Sequence, residues 1–290
     1  MRVPHTMSRM GDVLAGFHAA WEFESDSVLI RYERGMRTPK LLAALGERRI
    51  PLTALAGVTL TPGRRGTVVL HAEPRPGADP LMEAAAGQLK DGCDPYRLVL
   101  PAEREVLAEY YADELRSRLT ADTGPADRFL VPAPDVPLSF KAYDAKASFD
   151  GRAVRFRWFW TGASSAKWKA GDQSFTVSEL SGVEWRSPEV FEGHLRLVRG
   201  EAAPVPADQD PATVVFGLGY GSVHESLPFA AAVLAAVRTR GPAAAVAATG
   251  PRRDPADIAE RIRHLGELHR AGLVTDEEFS VKKAELLSEL

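Results

Sequence analysis

The sequence predicts a mainly β fold with helices: two similar domains in tandem, each closed by a C-terminal helix, followed by an α-helical hairpin tail. Three observations carry this expectation. The chain matches itself at a nearly constant offset: residues 23–32 (FESDSVLIRY) against 149–158 (FDGRAVRFRW), 52–58 against 177–183, and 66–70 against 193–197. Three colinear matches mark two copies of one domain of about 100 residues. In both copies apolar and polar residues alternate, the period of a half-buried strand. From Asp257 onward the period lengthens to that of a helix, with stop and start signals in order.

The first copy spans residues 13–120 and the second 138–240. In each, a strand runs into a tight turn, at Ser25-Asp26 or Asp150-Gly151, and a second strand follows. On that strand Val28, Ile30 and Tyr32 face inward, as do Val154, Phe156 and Trp158, leaving Arg31, Arg155 and Arg157 outward. Trp160 continues the inward face, while Phe159 is the outward aromatic that can mark an interface. A loop, a short strand, a Leu-x-Gly-Val turn and a further strand come next. Hairpins at Gly66 and Gly193 lead on, and a late strand (96–100; 213–216) precedes one helix. In the first copy Pro101 stands near the start of that helix. Val106, Leu107, Tyr110, Tyr111, Leu115 and Leu119 form its apolar face. In the second, Pro228 begins a shorter helix running to Val237. This order is that of a pleckstrin-homology-like β-barrel/sandwich domain closed by a C-terminal helix. An α+β sandwich is the alternative, because strand order cannot be read from spacing.

Residues 121–137 contain Gly124, Pro125, Pro132, Pro134 and Pro137, which predict an extended, stiff joint. Residues 241–256 are rich in Ala and Pro and predict a tether. Residues 257–290 form the hairpin. Ile258, Ile262, Leu265 and Leu268 make one stripe, and Gly272 ends the helix with Arg270 in its last turn. Thr275 then caps a second helix with Glu278 three residues on, and Phe279, Leu286 and Leu287 supply its apolar positions. Two helices this short bury too little surface to stand alone. Their stripes are therefore the candidate assembly face.

Composition bounds the function. The chain has 290 residues, 45% of them apolar and 26% charged, with a net charge of −3. No block is basic enough for a nucleic-acid footprint, so no nucleic acid is expected. Cys93 is the single cysteine, which leaves neither a disulfide framework nor a thiol metal site and fits a reducing compartment. The longest apolar run, 229–237, is too short for a membrane span, and no signal peptide is recognisable. The expected location is cytoplasmic, or peripheral at a membrane. High Arg, Ala, Gly and Pro suggest an actinobacterial source.

Two resemblances sharpen the reading. AGLVTDEEF and KKAELL in the tail resemble the SHOCT domain, a short C-terminal bacterial module, which implies an assembly role rather than catalysis. FxGxxVxF at 149–156 and LSGVEW at 180–185 resemble the actinobacterial domain of unknown function 4429 family. The first copy departs from it, because Phe23 is followed by Glu24-Ser25 without glycine and Thr59 replaces Glu184. That resemblance implies tandem repeats and adds no activity.

The search for catalytic chemistry is mostly negative. His264 and His269 lie about 140° apart on a helix, a poor metal geometry. No HExxH, P-loop or nucleophile elbow occurs, and the GLGYG stretch at 217–221 lacks a downstream Lys-Ser/Thr, so it reads as a flexible loop. Glu103, Glu105 and Glu109 favour a helix dipole rather than forming a catalytic pair. No enzyme, cofactor or metal is expected. Basic residues are the candidate ligand, lipid or partner contacts: Arg31, Arg34, Arg37 and Lys40 in the first copy, Arg155, Arg157, Lys167 and Lys169 in the second. Trp168 between the two lysines would suit an interfacial anchor. Outward arginines on a half-buried strand are also ordinary solvated residues. The leading expectation is an interaction or scaffold protein that binds a protein partner or itself through the tail. Weak contact with an anionic membrane is the alternative.

Overall fold

Hairpins turning at Ser25-Asp26 and Asp150-Gly151 organise both repeats, as their matching sequences predict. The computed structural model describes residues 12–120, 122–200 and 205–240. In the first repeat β1 (Asp12–Ala15), β2 (Ala19–Phe23), β3 (Ser27–Tyr32) and β4 (Glu47–Pro51) form a four-stranded antiparallel sheet. Helix α1 (Lys40–Leu45) lies between β3 and β4. A three-stranded sheet follows, of β5 (Leu55–Pro62), β6 (Thr67–Pro74) and β7 (Arg97–Pro101), with α2 (Pro80–Ala85) before its last strand. Helix α3 (Glu105–Arg118) closes the repeat.

The second repeat follows the same plan. Its four-stranded sheet contains β8 (Leu138–Lys141), β9 (Ala145–Phe149), β10 (Ala153–Trp158) and β11 (Gln173–Thr176), with α4 (Ser165–Ala170) before β11. The three-stranded sheet contains β12 (Gly182–Arg186), β13 (His194–Val198) and β14 (Thr213–Val215), and α5 (Val223–Arg240) follows. The four sheets stay separate. No closed barrel forms among the described residues, so the two-sheet arrangement replaces the barrel that was one of the expected shapes.

Alternation places the core as expected on β3 and β10. Val28, Ile30, Tyr32, Val154, Phe156 and Trp158 are all buried. In the first repeat Trp21, Ile50, Leu55, Leu70 and Leu98 join them, and α3 adds Tyr111 and Leu115. Phe23 stacks on Tyr111 with ring centroids 4.4 Å apart. Each large apolar side chain removed from water contributes about 1.5–3 kcal/mol before ordering costs.

Several elements differ from expectation for identifiable reasons. Short helices α1 and α4 stand where the loop after the second strand was expected, and α2 precedes the late strand of the first copy, all three being only six residues long and too brief for a helical period to register. The Leu-x-Gly-Val segments are the starts of strands rather than turns, with a register shift between Leu55 and Gly57. Helix α3 buries Ala108, Tyr111, Ala112 and Leu115, while Val106, Leu107 and Tyr110 are exposed. Two alanines let this helix approach the sheets closely. Val106 and Tyr110, each two residues from Ala108, then lie about 160° away around the helix. Helix α5 begins at Val223, well before Pro228, because Ser222 and Glu225 form an S-x-x-E start in which the Ser222 hydroxyl donates to the Glu225 carboxylate at 2.7 Å. Trp160 lies beyond the end of β10, so alternation lapses and it stands half-exposed with its edge on Trp168.

The proline-rich 122–137 segment is not an extended joint. Ala126 and Val131 are buried in the first repeat's core. The Ala126 N–H donates to the Pro76 carbonyl at 2.8 Å, and the N–H groups of Leu130 and Val131 donate to Ala78 at 2.8 and 3.0 Å. The 241–256 tether and the hairpin at 257–290 lie outside the described residues, together with its stripe of Ile258, Ile262, Leu265, Leu268, Phe279, Leu286 and Leu287.

Each repeat has its own core, but two helices of the first are buried in that of the second. Leu41 of α1 and Leu81, Ala84 and Ala85 of α2 belong to the second repeat's core, where both helices pack on α5. The Gln88 side chain stitches the junction, donating to the Trp185 carbonyl and accepting from the Ser187 N–H, both at 2.9 Å. Arg238 of α5 returns the contact: its guanidinium donates to the carbonyls of Gly77 and Ala126 and lies 4.6 Å from the Phe129 ring centroid.

Candidate functional site

Each repeat buries one cation against one carboxylate. In the first, Asp79 is the N-cap of α2 and accepts from the Leu81 N–H at 2.9 Å. Arg48 of β4 grips the same carboxylate with two hydrogen bonds of 3.0 and 2.8 Å, and the Tyr96 hydroxyl donates at 2.7 Å. Burial opposes the Arg48 charge, but Asp79 and Tyr96 outweigh it and hold the guanidinium pKa above its usual value. Burial and the Asp79 charge push the Tyr96 phenol well up. This is a satisfied network that fixes α2.

In the second repeat, Lys167 is 0% exposed and its ammonium donates to Asp144 at 2.5 Å. Asp144 also accepts from the Val215 N–H at 2.9 Å, and the Lys167 nitrogen lies 5.1 Å from the Trp158 ring centroid. Burial pushes the Lys167 pKa down and the Asp144 pKa up, with each partner's charge working against its own shift. Here the ion pair ties α4 to the β8–β9 turn.

Between the repeats lies an open groove of ≈ 600 Å³. Pro39, Lys40, Leu41 and Cys93 line it from the first repeat, facing the 188–193 loop and the 216–224 connection of the second. Its rim is apolar. Phe191 is 83% exposed and Leu218 101%, with Val190 and Tyr220 also exposed. The loops that carry these residues have defined conformations. Glu192 holds a left-handed φ of 59°, and its carbonyl accepts from the His194 ring at 2.8 Å. Gly221 has φ 69°, and a Cβ there would meet the Phe216 ring. Cys93 lines the groove, half-buried, with its thiol pKa raised by burial and by Glu189.

The basic residues predicted from sequence separate into two groups. Arg31 is neutralised by Glu22 and by Glu47, the latter at 2.9 Å. Those hydrogen bonds raise its pKa. Arg155 is held by Asp150 at 2.8 Å, and Arg157 and Trp168 each have interaction partners of their own. Lys167 corrects the expectation of an outward cluster, because it is buried and paired. Arg34, Arg37, Lys40 and Lys169 remain exposed, and Lys40 lines the groove. Sequence reading missed Phe191, Leu218 and Tyr220 as a group, since the GLGYG stretch read only as a flexible loop. Among the described residues no cluster of three or more His, Cys, Asp or Glu gathers as a metal site would require, and no helix is long and apolar enough to cross a membrane.

The family described as Domain of unknown function (DUF4429) matches residues 21–116 and again 147–234. The chain belongs to the DUF4429 family. Its two DUF4429 segments coincide with the two repeats, from β2 to α3 and from β9 to α5, so the duplication seen in the sequence is two copies of one family domain. Both segments contribute to the groove, the first through Pro39, Lys40, Leu41 and Cys93 and the second through its loops. No curated protein matches the chain.

Proposed function

We propose that this DUF4429 chain is a non-enzymatic, cytoplasmic interaction protein, with two pleckstrin-homology-like repeats fused into one binding unit and a C-terminal assembly module. The apolar rim of the junction groove carries this reading, because side chains such as Phe191 and Leu218 stand out at the tips of loops whose backbone is constrained. The pleckstrin-homology likeness is supported by seven strands in sheets of four and three, followed by a helix, in both repeats. Residues 257–290 serve as a SHOCT-like hairpin that brings copies together, so that weak contacts of single units gain from avidity.

Light scattering after size exclusion, on the full chain and on residues 1–250, tests the assembly half of the proposal. A full-length oligomer that becomes monomeric on truncation is the expected result. Monomers in both cases would remove the assembly role.

A further inference from the structure

The two repeats treat one equivalent sheet edge differently. Strands β5 and β12 each border a three-stranded sheet. β12 has five residues, carries Glu184 and Arg186, and is plugged by Gln88, whose side chain bonds Trp185 and Ser187 as a neighbouring strand would. Charges and plugs of this kind keep an edge from pairing with another chain. β5 is built otherwise. With eight residues it is the longest edge strand among the described residues, and residues 52–62 hold no charged side chain. The Ala72 N–H turns toward β7 and donates to the Tyr96 carbonyl at 3.1 Å. Residues 58, 60 and 62, which pair with 72, 70 and 68, therefore present their backbone groups to the open edge. Of these groups only the Val58 carbonyl has a partner among the described residues, the Arg116 Nε–H at 3.0 Å. Thr59, Thr61 and Pro62 are exposed and Leu60 is half-buried.

We propose that β5 pairs antiparallel with β5 of a second copy of this chain, about a twofold axis at Leu60. This inference rests on the proposed assembly and names a surface on which weak contacts between copies form. Hydrogen bonding favours a second copy over an unrelated strand. In this register Leu60 exchanges both backbone bonds with its own equivalent, and the Val58 N–H meets the Pro62 carbonyl. Nothing is left unmatched, because Pro62 has no N–H and the Val58 carbonyl it would face is the one Arg116 occupies. The half-buried Leu60 side chains meet on the core side, and Thr59 faces Thr61 on the outer side. Charge agrees. Glu73 leans over Gly57, its carboxylate 3.3 Å from where a Cβ there would lie, while Arg64 and Arg65 stand exposed in the turn at the other end of β5. None of the three has an ion-pair partner among the described residues. Antiparallel pairing sets the arginines of each copy beside Glu73 of the other. The other charges nearby are already matched, Arg116 with Asp113 and His71 with Asp94.

Thr59 and the Thr61 opposite it form a non-hydrogen-bonded pair in this register, with Cα atoms about 4.5 Å apart and within disulfide reach. Full chains carrying Cys93→Ser with either Thr59→Cys or Thr61→Cys are oxidised singly and as an equal mixture. Disulfide-linked dimers are expected to form about tenfold faster in the mixture than in either variant alone, because like positions lie out of register. Adding Glu73→Arg to both should slow the cross-link, and combining it with Arg64→Glu/Arg65→Glu should restore the rate. The substituted positions on this edge are exposed, and an unchanged melting temperature shows that the fold survives. Equal rates in the mixture and the single variants, or no disulfide at all, overturn the pairing. Light scattering on the full chain separates the two levels of failure. An oligomer without the cross-link keeps the assembly and removes the β5 contact, whereas a monomer without it removes both.

Discussion

Helices α3 and α5 close their repeats at corresponding positions, yet α3 has water along its outer face while α5 is dry on every side from Ser226 to Val233. The difference lies in what covers them. Nothing among the described residues shields Val106 or Tyr110 of α3, whereas α1 and α2 of the first repeat lie over α5. Composition follows that geometry, with Glu, Asp and Arg punctuating α3 and Leu, Pro, Phe, Ala and Val filling the middle of α5. Duplication thus supplied two equal frames, and the junction made one of them interior. The buried ion pairs differ in the same sense. Arg48–Asp79 secures α2, the helix that reaches across to α5, while Lys167–Asp144 stays within the second repeat.

The strongest way to break this comparison is Asp79→Ala, which removes the α2 cap and strands Arg48 and Tyr96. A loss of about 4–5 kcal/mol is expected in chemical denaturation. Hydrogen exchange should quicken along α5 as well, and unchanged protection there would mean that α2 does not support it. Phe229→Ala comes next. Its ring lies 5.0 Å from Phe140 and 6.2 Å from Phe149, so truncation should cost about 4 kcal/mol.

Lys167→Met is expected to cost about 3 kcal/mol at neutral pH by leaving Asp144 buried and unpaired. Burial already lifts the Asp144 pKa, and loss of the lysine charge lifts it further. A folded value above the unfolded one, about 3.9, gives stability that is complete below about pH 4 and is lost as pH rises through the folded value. The deficit of the variant should therefore shrink on acidification. An equal deficit at neutral pH and at about pH 4 would rule out the stranded carboxylate as its cause. Smallest of all is Val106→Ser on the wet face of α3, which should change stability by no more than about 0.5 kcal/mol. A larger loss would show that this face has a partner in solution.

Much of the frame was legible. The 126-residue spacing of Phe23 and Phe149 located both hairpins, and the alternation at Val28, Ile30 and Tyr32 named core residues correctly. What failed did so where local pattern and tertiary context diverge. The apolar residues of α3 were read as its inward face, because nothing local says that Ala108 and Ala112 set the contact. Pro228 drew the helix start away from Ser222 and Glu225, although the S-x-x-E signal was present. Lys167 looked solvated since its partner lies 23 residues away in the chain, a pairing made only by folding. The groove was invisible for the same reason, being assembled from segments that only the packed junction brings together.

That junction also has a bearing on biosynthesis. Leu41, Leu81, Ala84 and Ala85 are translated with the first repeat but are buried by the second. About 140 residues separate α2 from α5, and at about 5–20 residues per second the ribosome needs on the order of ten seconds to make them. Throughout that interval an otherwise complete first repeat carries an uncovered apolar patch, a natural landing place for chaperones on the nascent chain.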